Sequence, residues 1–273
     1  MLILAATPIG NLGDASARLR EVLASANYIA AEDTRSLLKL ASMLQIKLHA
    51  KLFSLHEHNE HERVQQILEI AESNDVVVVS DAGMPTVSDP GFALVRAAVD
   101  AGIDVTVIPG PSAVLAALAV SGLPTDRFSF EGFLPRKRTD RLKMFRSLQA
   151  EQRTMVFFES PHRILESLQD AAEVFGAEHR ATVSRELTKK FEHTERGTMA
   201  SLIEWAKTEP KGEMVLVVAG VEARAVEAAD VVERVQKLVD SGQKLKPAVA
   251  QVAEAHGVGK SELYQLVLDS RKD

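Results

Sequence analysis

Residues 76–91 read VVVVSDAGMPTVSDPG, and this stretch decides the fold class. Four consecutive valines predict a strand that is buried on both faces, as the strands of parallel sheets are. The twelve residues after them combine turn formers with two carboxylates, Asp81 and Asp89. Open α/β sheets bind ligands at the carboxyl ends of their strands, so the stretch also predicts a ligand-binding loop. A competing interpretation is an ordinary turn in which Asp89 caps a helix beginning at Pro90, but capping would explain only its second half.

The same alternation of strand, loop and helix extends to both sides of this stretch. Its pattern predicts strands over 2–6, 28–31 and 104–108, and helices that begin near Asp14 or span 62–72, 90–101 and 112–120. This rhythm predicts a mainly parallel α/β sheet. The loops TPIGNLGD at 7–14 and PGPSA at 109–113 also follow strands. Three loops should therefore meet at one edge of the sheet and form one pocket.

Breaks in the pattern predict three domains, covering 1–121, 125–221 and 225–273. The segment 121–126 combines a glycine, a proline and polar residues, which mark the first boundary. The second, smaller α/β domain is predicted to hold strands at 128–134, 154–158, 181–184 and 213–219, with a helix that Ser160 caps and Pro161 begins. The tail shows two short helices, 247–255 and 261–268, around Gly257, a pattern typical of a helix-turn-helix.

Composition restricts the class of protein. Hydrophobic residues make up 46% of the 273 residues, enough for sizeable buried cores, and the chain contains no cysteine. It therefore uses neither disulfides nor thiolate zinc ligands, which fits a reducing cytoplasm. The apolar opening is too short for a signal peptide or a membrane span. A formal net charge of −6 argues against non-specific coating of DNA, so any nucleic-acid contact must be a local patch.

Two other ligand classes fit the sequence less well. The first loop lacks the G-x-G-x-x-G spacing of dinucleotide-binding folds, although Asp33 lies at a suitable distance downstream. His56, His58 and His61 could suggest a metal, but their polar neighbours are typical of a solvated loop. We expect no metal site.

The loop sequences resemble a known family. The motifs TPIGNLGD at 7–14, AEDTR at 31–35, SDAGMPTVSDPG at 80–91 and PGPSA at 109–113 are similar to those of the tetrapyrrole methylase superfamily. FFESPHR at 157–163, SRELTKK at 184–190 and GEM at 212–214 resemble the branch of that superfamily that methylates ribose in small-subunit ribosomal RNA. The resemblance implies a two-domain, class III methyltransferase fold with a small helical domain at the C terminus. Tetrapyrrole-methylating relatives usually carry G-x-G-x-G-D and G-D-P motifs, which this chain lacks.

The resemblance further implies that S-adenosyl-L-methionine (SAM) lies between the two α/β domains. By the same resemblance, its contacts come from the three loops and from the second domain: Leu12, Ala82, Gly83, Met84, Val87, Ser112, Ala113, Glu159, Leu187 and Met214. Core packing is the competing interpretation for Leu12, Val87 and Leu187.

An alcohol needs a general base, or a cation that stabilises the developing alkoxide, before it can accept a methyl group at neutral pH. The candidates are Glu186 and Lys189, with Asp33 and Arg35 positioning the nucleotide. A lysine base would require a pKa depressed by burial or by a neighbouring cation. A competing interpretation is a solvated cluster of paired charges at a strand end, formed by Arg185, Glu186, Lys189 and Glu192.

Residues 136–146 carry six basic residues and one acid, which suits contact with rRNA phosphates. The predicted RNA contacts are Arg136, Lys137, Arg138, Arg141 and Lys143. An exposed helix face is the competing interpretation. Residues 242–273 have five basic and four acidic residues, so the tail is interpreted as an accessory module for rRNA docking or packing.

The resemblance thus implies a methyltransferase for a cytidine ribose in the decoding centre of 16S rRNA, acting within the small ribosomal subunit. Relatives form homodimers, so a homodimer is expected. No membrane partner is expected. One alternative is a carbon methyltransferase of a tetrapyrrole or another superfamily substrate. A second is a nucleic-acid-binding regulator built on the tail helices, for which two α/β domains would be superfluous.

Overall fold

A computed structural model describes residues 1–56, 60–221 and 227–270. It divides into two compact units, residues 1–221 and residues 222–273. The first unit contains two five-stranded sheets, and the chain passes from one to the other between residues 121 and 128. The boundary predicted near residue 121 lies at this passage. The division of the first unit into two domains stays a prediction.

The first sheet is parallel throughout, as predicted, with the strand order β3-β2-β4-β1-β5. Its strands are β1 (Leu2–Ala5), β2 (Tyr28–Ala31), β3 (Lys51–Ser54), β4 (Val76–Val79) and β5 (Val105–Ile108). The helices are α1 (Ala17–Ser25), α2 (Thr34–Met43), α3 (Glu60–Ala71), α4 (Phe92–Asp100) and α5 (Ala113–Ser121). Strand β4 lies inside the sheet, and its four valines are all buried.

Helix caps differ from the sequence prediction at two points. Ser16, rather than Asp14, caps α1 by accepting a hydrogen bond from the Leu19 amide. Gly91 precedes α4 in a left-handed conformation, with φ of 117° and no side-chain cap. Asp89 is therefore not the cap of this helix. The interpretation of this stretch as an ordinary turn with a capping carboxylate is wrong on this point.

The second sheet is mixed, with the order β6-β7-β10-β8-β9. Strands β6 and β7 are parallel, whereas β10 runs antiparallel to β7 and β8, and β9 antiparallel to β8. The strands are β6 (Phe128–Phe133), β7 (Thr154–Glu159), β8 (Arg180–Arg185), β9 (His193–Thr198) and β10 (Met214–Val218). The helices are α6 (Arg138–Ser147), α7 (Ile164–Phe175) and α8 (Met199–Ala206). Helix α7 begins at Ile164, not at Pro161, because the residues after Glu159 form a turn.

Helix α5 joins the two sheets. Its buried residues Val114, Ala117 and Leu118 pack in one apolar cluster with Val156 of β7 and Val217 of β10. The other face of the second sheet carries a separate core under α6, α7 and α8, which includes Phe145, Phe157 and Met214. A helix from the first βα series thus covers the second sheet, and the two sheets form one compact unit.

The second unit is helical over its described residues. It contains α9 (Val232–Asp240), α10 (Leu245–His256) and α11 (Lys260–Asp269), which share a core that includes Val235, Val252 and Leu263. Gly257 ends α10 in a left-handed conformation, as the glycine turn predicts. Helix α9 was not predicted. Across both units, no described helix combines the length and the apolar character needed to span a bilayer.

Candidate active site

The three predicted loops meet at the carboxyl edge of the first sheet. Thr7 and Gly83 exchange two backbone hydrogen bonds, of 2.9 and 3.1 Å, which join the loops after β1 and β4. A Cβ added to Gly83 would lie 3.4 Å from Ile9 Cγ2 and 3.7 Å from the Pro111 carbonyl oxygen. Gly83 has φ of +84°, so its conformation also favours glycine.

A small cavity lies where these loops meet. Its volume is about 60 Å³. It is lined by Ile9, Ala82, Gly83, Met84, Val87, Asp89, Ser112, Ala113, Val114 and Phe158. Six of these residues were predicted from sequence to bind a cofactor, and the structure brings all six together. Ile9, Val114 and Phe158 are not predicted by the sequence, which identifies Asp89 only as a carboxylate of the predicted ligand-binding loop or as a helix cap.

The other four predicted cofactor contacts do not line this cavity. Leu12 is half-buried and packs against the core under the first sheet, and Leu187 belongs to the cluster around α5. The Met214 side chain lies in the core on the opposite face of the second sheet. Strand alternation directs Val215, not Met214, to the α5 face.

Glu159 has a structural role. Its side chain is fully buried, and its Oε1 pairs with Arg163 at 2.6 Å and accepts a hydrogen bond from the Ser160 amide at 2.7 Å. Oε2 accepts a hydrogen bond from the Ser167 hydroxyl at 2.6 Å. Buried charges persist when they are paired in this way, so the carboxylate stabilises the turn into α7.

Asp89 is the ionisable residue of the cavity wall. Burial raises its pKa to about 6, the Ser80 hydroxyl works in the opposite direction, and the nearby carboxylates of Glu32 and Asp81 raise it further. Near neutral pH it places a negative charge beside apolar side chains such as Met84 and Val87 and beside Ser112. Such a lining suits a ligand that has an apolar body and a positive charge.

Asp33 and Arg35 lie beside this edge, at the end of β2. The Asp33 amide donates to Asp81 Oδ1 at 3.2 Å, and its carboxylate accepts a bidentate contact from Arg35 with a shortest distance of 2.7 Å. This hydrogen bond lowers the pKa of Asp33 to about 2. The pair begins α2 and does not line the cavity.

Lys189 forms a second chemical centre, between the sheets. Its Nζ donates to Glu186 Oε1 at 3.0 Å and to Glu213 Oε2 at 2.7 Å. Partial burial works to lower the pKa of Lys189, but the hydrogen bonds to Glu213 and Glu186 outweigh it and the pKa is raised. The pKa of Glu186 is lowered, mainly by the hydrogen bond from Lys189. The geometry thus favours a lysine cation and opposes the depressed pKa of a lysine base.

Close packing links this centre to the cavity. A Cβ on Gly10 would overlap the Lys189 Cγ and would lie 2.9 Å from Thr188 Oγ1. Gly10 follows Ile9, a wall residue of the cavity. Among the described residues, Thr188 Oγ1 is buried with no hydrogen-bond partner. An orphaned polar atom at this place fits a site that binds a polar ligand.

Backbone strain is also concentrated here. Thr86, Ser88, Glu186 and Thr188 have φ between 51° and 76°. Left-handed conformations are costly for residues other than glycine, especially β-branched ones, and they cluster at functional sites. All four lie in the two loops that flank the cavity and Lys189.

The basic segment is only partly available to a ligand. Arg136, Lys137, Arg138 and Lys143 are exposed, but the Arg141 side chain is 1% exposed. Its guanidinium pairs with Asp170 at 2.6 Å and donates to two backbone carbonyls. Arg141 therefore does not lie on the surface predicted for RNA contact, because it holds α6 against α7. Of the histidines considered for a metal, His58 lies outside the described residues.

Comparisons with known proteins agree with this geometry. Residues 1–203 match the family model of tetrapyrrole (corrin/porphyrin) methylases. The chain is 46% identical to ribosomal RNA small subunit methyltransferase I of Mycobacterium tuberculosis (strain CDC 1551 / Oshkosh), covering 100% of this chain and 96% of that protein. It is 42% identical to the protein of the same name from Escherichia coli O157:H7, covering 99% and 95%. The crystal structure of the methyltransferase CobJ superposes with a TM-score of 0.61 at 21% identity, covering 82% of this chain and 96% of that one.

The structural match confirms the predicted two-sheet methylase fold. The family model covers the first sheet and every strand of the second sheet except β10, and the relatives match along the whole chain, including the helical unit. The chain therefore belongs to the tetrapyrrole methylase family and, within it, to the ribosomal RNA small subunit methyltransferase I group.

Proposed function

We propose that this enzyme transfers a methyl group from SAM to a ribose 2′-hydroxyl of 16S rRNA, at a cytidine of the decoding centre. The observation that carries the proposal is the adjacency of two features. A cavity formed by the three loops contains one carboxylate, and a lysine cation lies one residue beyond its wall at Gly10. The relatives' names supply the substrate class, small-subunit rRNA.

The residues of the cavity suit the proposed methyl donor. Met84, Val87 and Val114 offer apolar walls, and Asp89 offers the negative charge that a sulfonium or an ammonium group requires. The volume of about 60 Å³ is that of about two water molecules, so this cavity would hold only part of a nucleoside-sized ligand. When bound, SAM supplies an electrophilic methyl group.

Lys189 and Glu186 would act on the acceptor. The ammonium of Lys189 would donate a hydrogen bond to the ribose oxygen and stabilise the negative charge that develops on it. As the oxygen–carbon bond forms and the carbon–sulfur bond breaks, the hydroxyl proton would pass to the Glu186 carboxylate. Glu213 would keep Lys189 oriented. Most of the rate would come from holding the acceptor in line, so no covalent enzyme intermediate is needed.

Exposed cations in α6 and in the two residues before it support the rRNA substrate. Arg136, Lys137 and Lys143 extend into solvent and can bind phosphates. A tetrapyrrole acceptor is the alternative, but the CobJ structure is similar to this chain only in its fold.

We also propose that the enzyme works in the cytoplasm as a homodimer. Phe92 and Val99 of α4 support the dimer, because these apolar side chains lie on one helix face and are 67% and 62% exposed.

Two substitutions test the function. Gly83→Leu should abolish SAM binding in calorimetry, because a side chain there would fill the space between Ile9 and Pro111. Lys189→Ala should leave SAM affinity within about threefold and reduce methyl transfer to unmodified 30S subunits about 100-fold, the range for losing one stabilising donor. Normal SAM binding by the Gly83 variant would show that the cavity is not the cofactor site. Transfer to a uroporphyrinogen-type ring but not to 30S subunits would favour the alternative substrate.

A further inference from the structure

A second, larger cavity lies at the edge of the second sheet where β7 ends and β10 begins. Its volume is about 600 Å³, and it is lined by Pro161, His162, Leu165, Ala206, Glu209, Pro210, Lys211 and Gly212. Ligand pockets typically measure about 300–1,000 Å³, so the space suffices for a nucleotide. We call it the His162 pocket. It contains the Pro-His of the FFESPHR motif, whose Glu159 and Arg163 are already paired with each other.

The His162 pocket is separated from Lys189 by a single carboxylate. Gly212, in its wall, has φ of +97°, and a Cβ there would overlap the Glu186 side chain. The same Glu186 accepts the hydrogen bond from Lys189 Nζ at 3.0 Å. A continuous series of contacts thus runs from the loop cavity through Gly10, Lys189, Glu186 and Gly212 to the pocket.

The pocket walls suit a planar base with a phosphate. Leu165 is half-buried and Pro161 adds an apolar surface, while His162 is exposed and presents an aromatic ring. Single-stranded RNA is recognised mainly by stacking of splayed bases on such rings. Lys211 is exposed at the rim, and its carbonyl oxygen accepts a hydrogen bond from Arg185 Nη1 at 2.9 Å, which anchors the loop that carries it. The Lys211 ammonium can therefore bind a phosphate while this hydrogen bond holds the Lys211 backbone.

We propose that the His162 pocket binds the nucleotide next to the methylated one, stacking its base on His162 and pairing its phosphate with Lys211. This inference rests on the proposed rRNA substrate. The target ribose lies at Lys189, and its neighbour in a single strand enters the pocket beyond Glu186. Recognition of two successive nucleotides selects a single-stranded segment, because a duplex keeps its bases stacked and out of reach.

Matched substitutions in the full-length protein test this role. His162→Ala and Lys211→Ala should each raise KM for unmodified 30S subunits about tenfold, consistent with the loss of one base stack or one phosphate contact. Both should leave kcat and the SAM dissociation constant within about twofold. His49→Ala and Lys207→Ala are the controls, since both side chains are exposed and neither lines the pocket.

The outcomes separate the two proposals. If the pocket variants match the controls, or lose kcat at unchanged KM, the pocket does not bind the neighbouring nucleotide, and the proposed function stands. If the unmodified protein binds SAM but does not methylate 30S subunits, both the substrate and the pocket assignment are overturned. A tenfold rise in KM confined to His162→Ala and Lys211→Ala supports the inference.

Discussion

At the residue scale, Gly10 leaves room for the Lys189 side chain, although the glycine itself is exposed. It lies in the first loop, and the Lys189 methylene chain occupies the space that a side chain at position 10 would need. Gly10→Ala should displace the ammonium from Glu186 and Glu213, reducing kcat at least tenfold. SAM affinity should stay within about threefold, because the cavity wall at Ile9 is unchanged.

Gly13→Ala in the same loop is the matched control, since a Cβ there meets only the Asn11 side chain, its nearest atom lying 3.1 Å away. Single-turnover methylation of 30S subunits and calorimetry with SAM would measure the two effects. Equal kcat for the two variants would contradict the packing argument.

Asp89 should make cofactor binding depend on pH. Its pKa is about 6, raised by burial and by Glu32 and Asp81. Below pH 6 the carboxylate becomes protonated and loses its attraction for a cationic ligand. We expect SAM affinity to fall about tenfold between pH 7.5 and pH 5, as for a 1.4 kcal/mol loss. S-adenosylhomocysteine lacks the sulfonium but keeps the ammonium, so its affinity should change little if Asp89 faces the sulfonium and should fall equally if Asp89 faces the ammonium; calorimetry with both ligands would measure the difference.

Asp89→Asn should remove this pH dependence and stabilise the free protein. The native pKa lies above the unfolded value of 3.8, so the wild type binds more protons when folded and loses stability as pH rises from about 4 to 6. The neutral amide avoids this cost, and at pH 7.5 the variant should gain about 1 kcal/mol, a value reduced for solvent screening. Unfolding in urea would measure it. Lower stability at pH 7.5 with unaltered SAM binding would show that Asp89 is a structural residue.

At the element scale, α6 and α7 are joined by a buried ion pair. Arg141 and Asp170 are 1% and 4% exposed. Asp170 also pairs with Arg138 at 2.9 Å, so Arg141→Ala leaves this buried carboxylate with one of its two cations and should lower the free energy of unfolding by about 3 kcal/mol, the low end of the range for a broken buried pair. Thermal and urea unfolding would measure the loss.

Lys143→Ala, two residues along the same helix and exposed, is the matched control for Arg141. It should change stability by less than about 0.5 kcal/mol. It should instead weaken binding to 30S subunits and reduce the salt dependence of that binding. A stable Arg141 variant with impaired rRNA binding would reverse our assignment of these two residues.

Elements with strong local patterns could be predicted from the sequence, and those that depend on distant partners could not. The apolar runs and the glycine- and proline-rich loops predicted four strands of the first sheet, though not β3, and six residues of one cavity. Strand β9 was not predicted, because its sequence, HTERGT, is polar and the strand lies at the edge of the sheet. The charges of residues 136–146 indicated a surface, but Arg141 is buried because of Asp170, which lies 29 residues away. Likewise, Glu213 reaches Lys189 across 24 residues, a separation that no local motif reveals.

At the scale of the whole molecule, the apolar face of α4 should form a subunit interface. Phe92 and Val99 are seven residues apart and strongly exposed, and Val107 of the edge strand β5 is 44% exposed. Phe92→Glu with Val99→Glu should convert a dimer to a monomer in sedimentation experiments, with SAM binding retained. Leu38→Glu, at a 53% exposed leucine of α2, is the control. A monomeric wild-type protein would contradict the homodimer.

The contact of Gly10 with Lys189 has a consequence for the order of events in catalysis. The glycine belongs to the loop that lines the cavity, whereas the lysine belongs to the segment that would meet the RNA. A small shift of Ile9 would therefore reach the methylene chain and its ammonium through one peptide unit and one contact. Donor binding would then adjust the position of the cation that meets the ribose oxygen, and the two halves of the site would be aligned by a residue with no side chain.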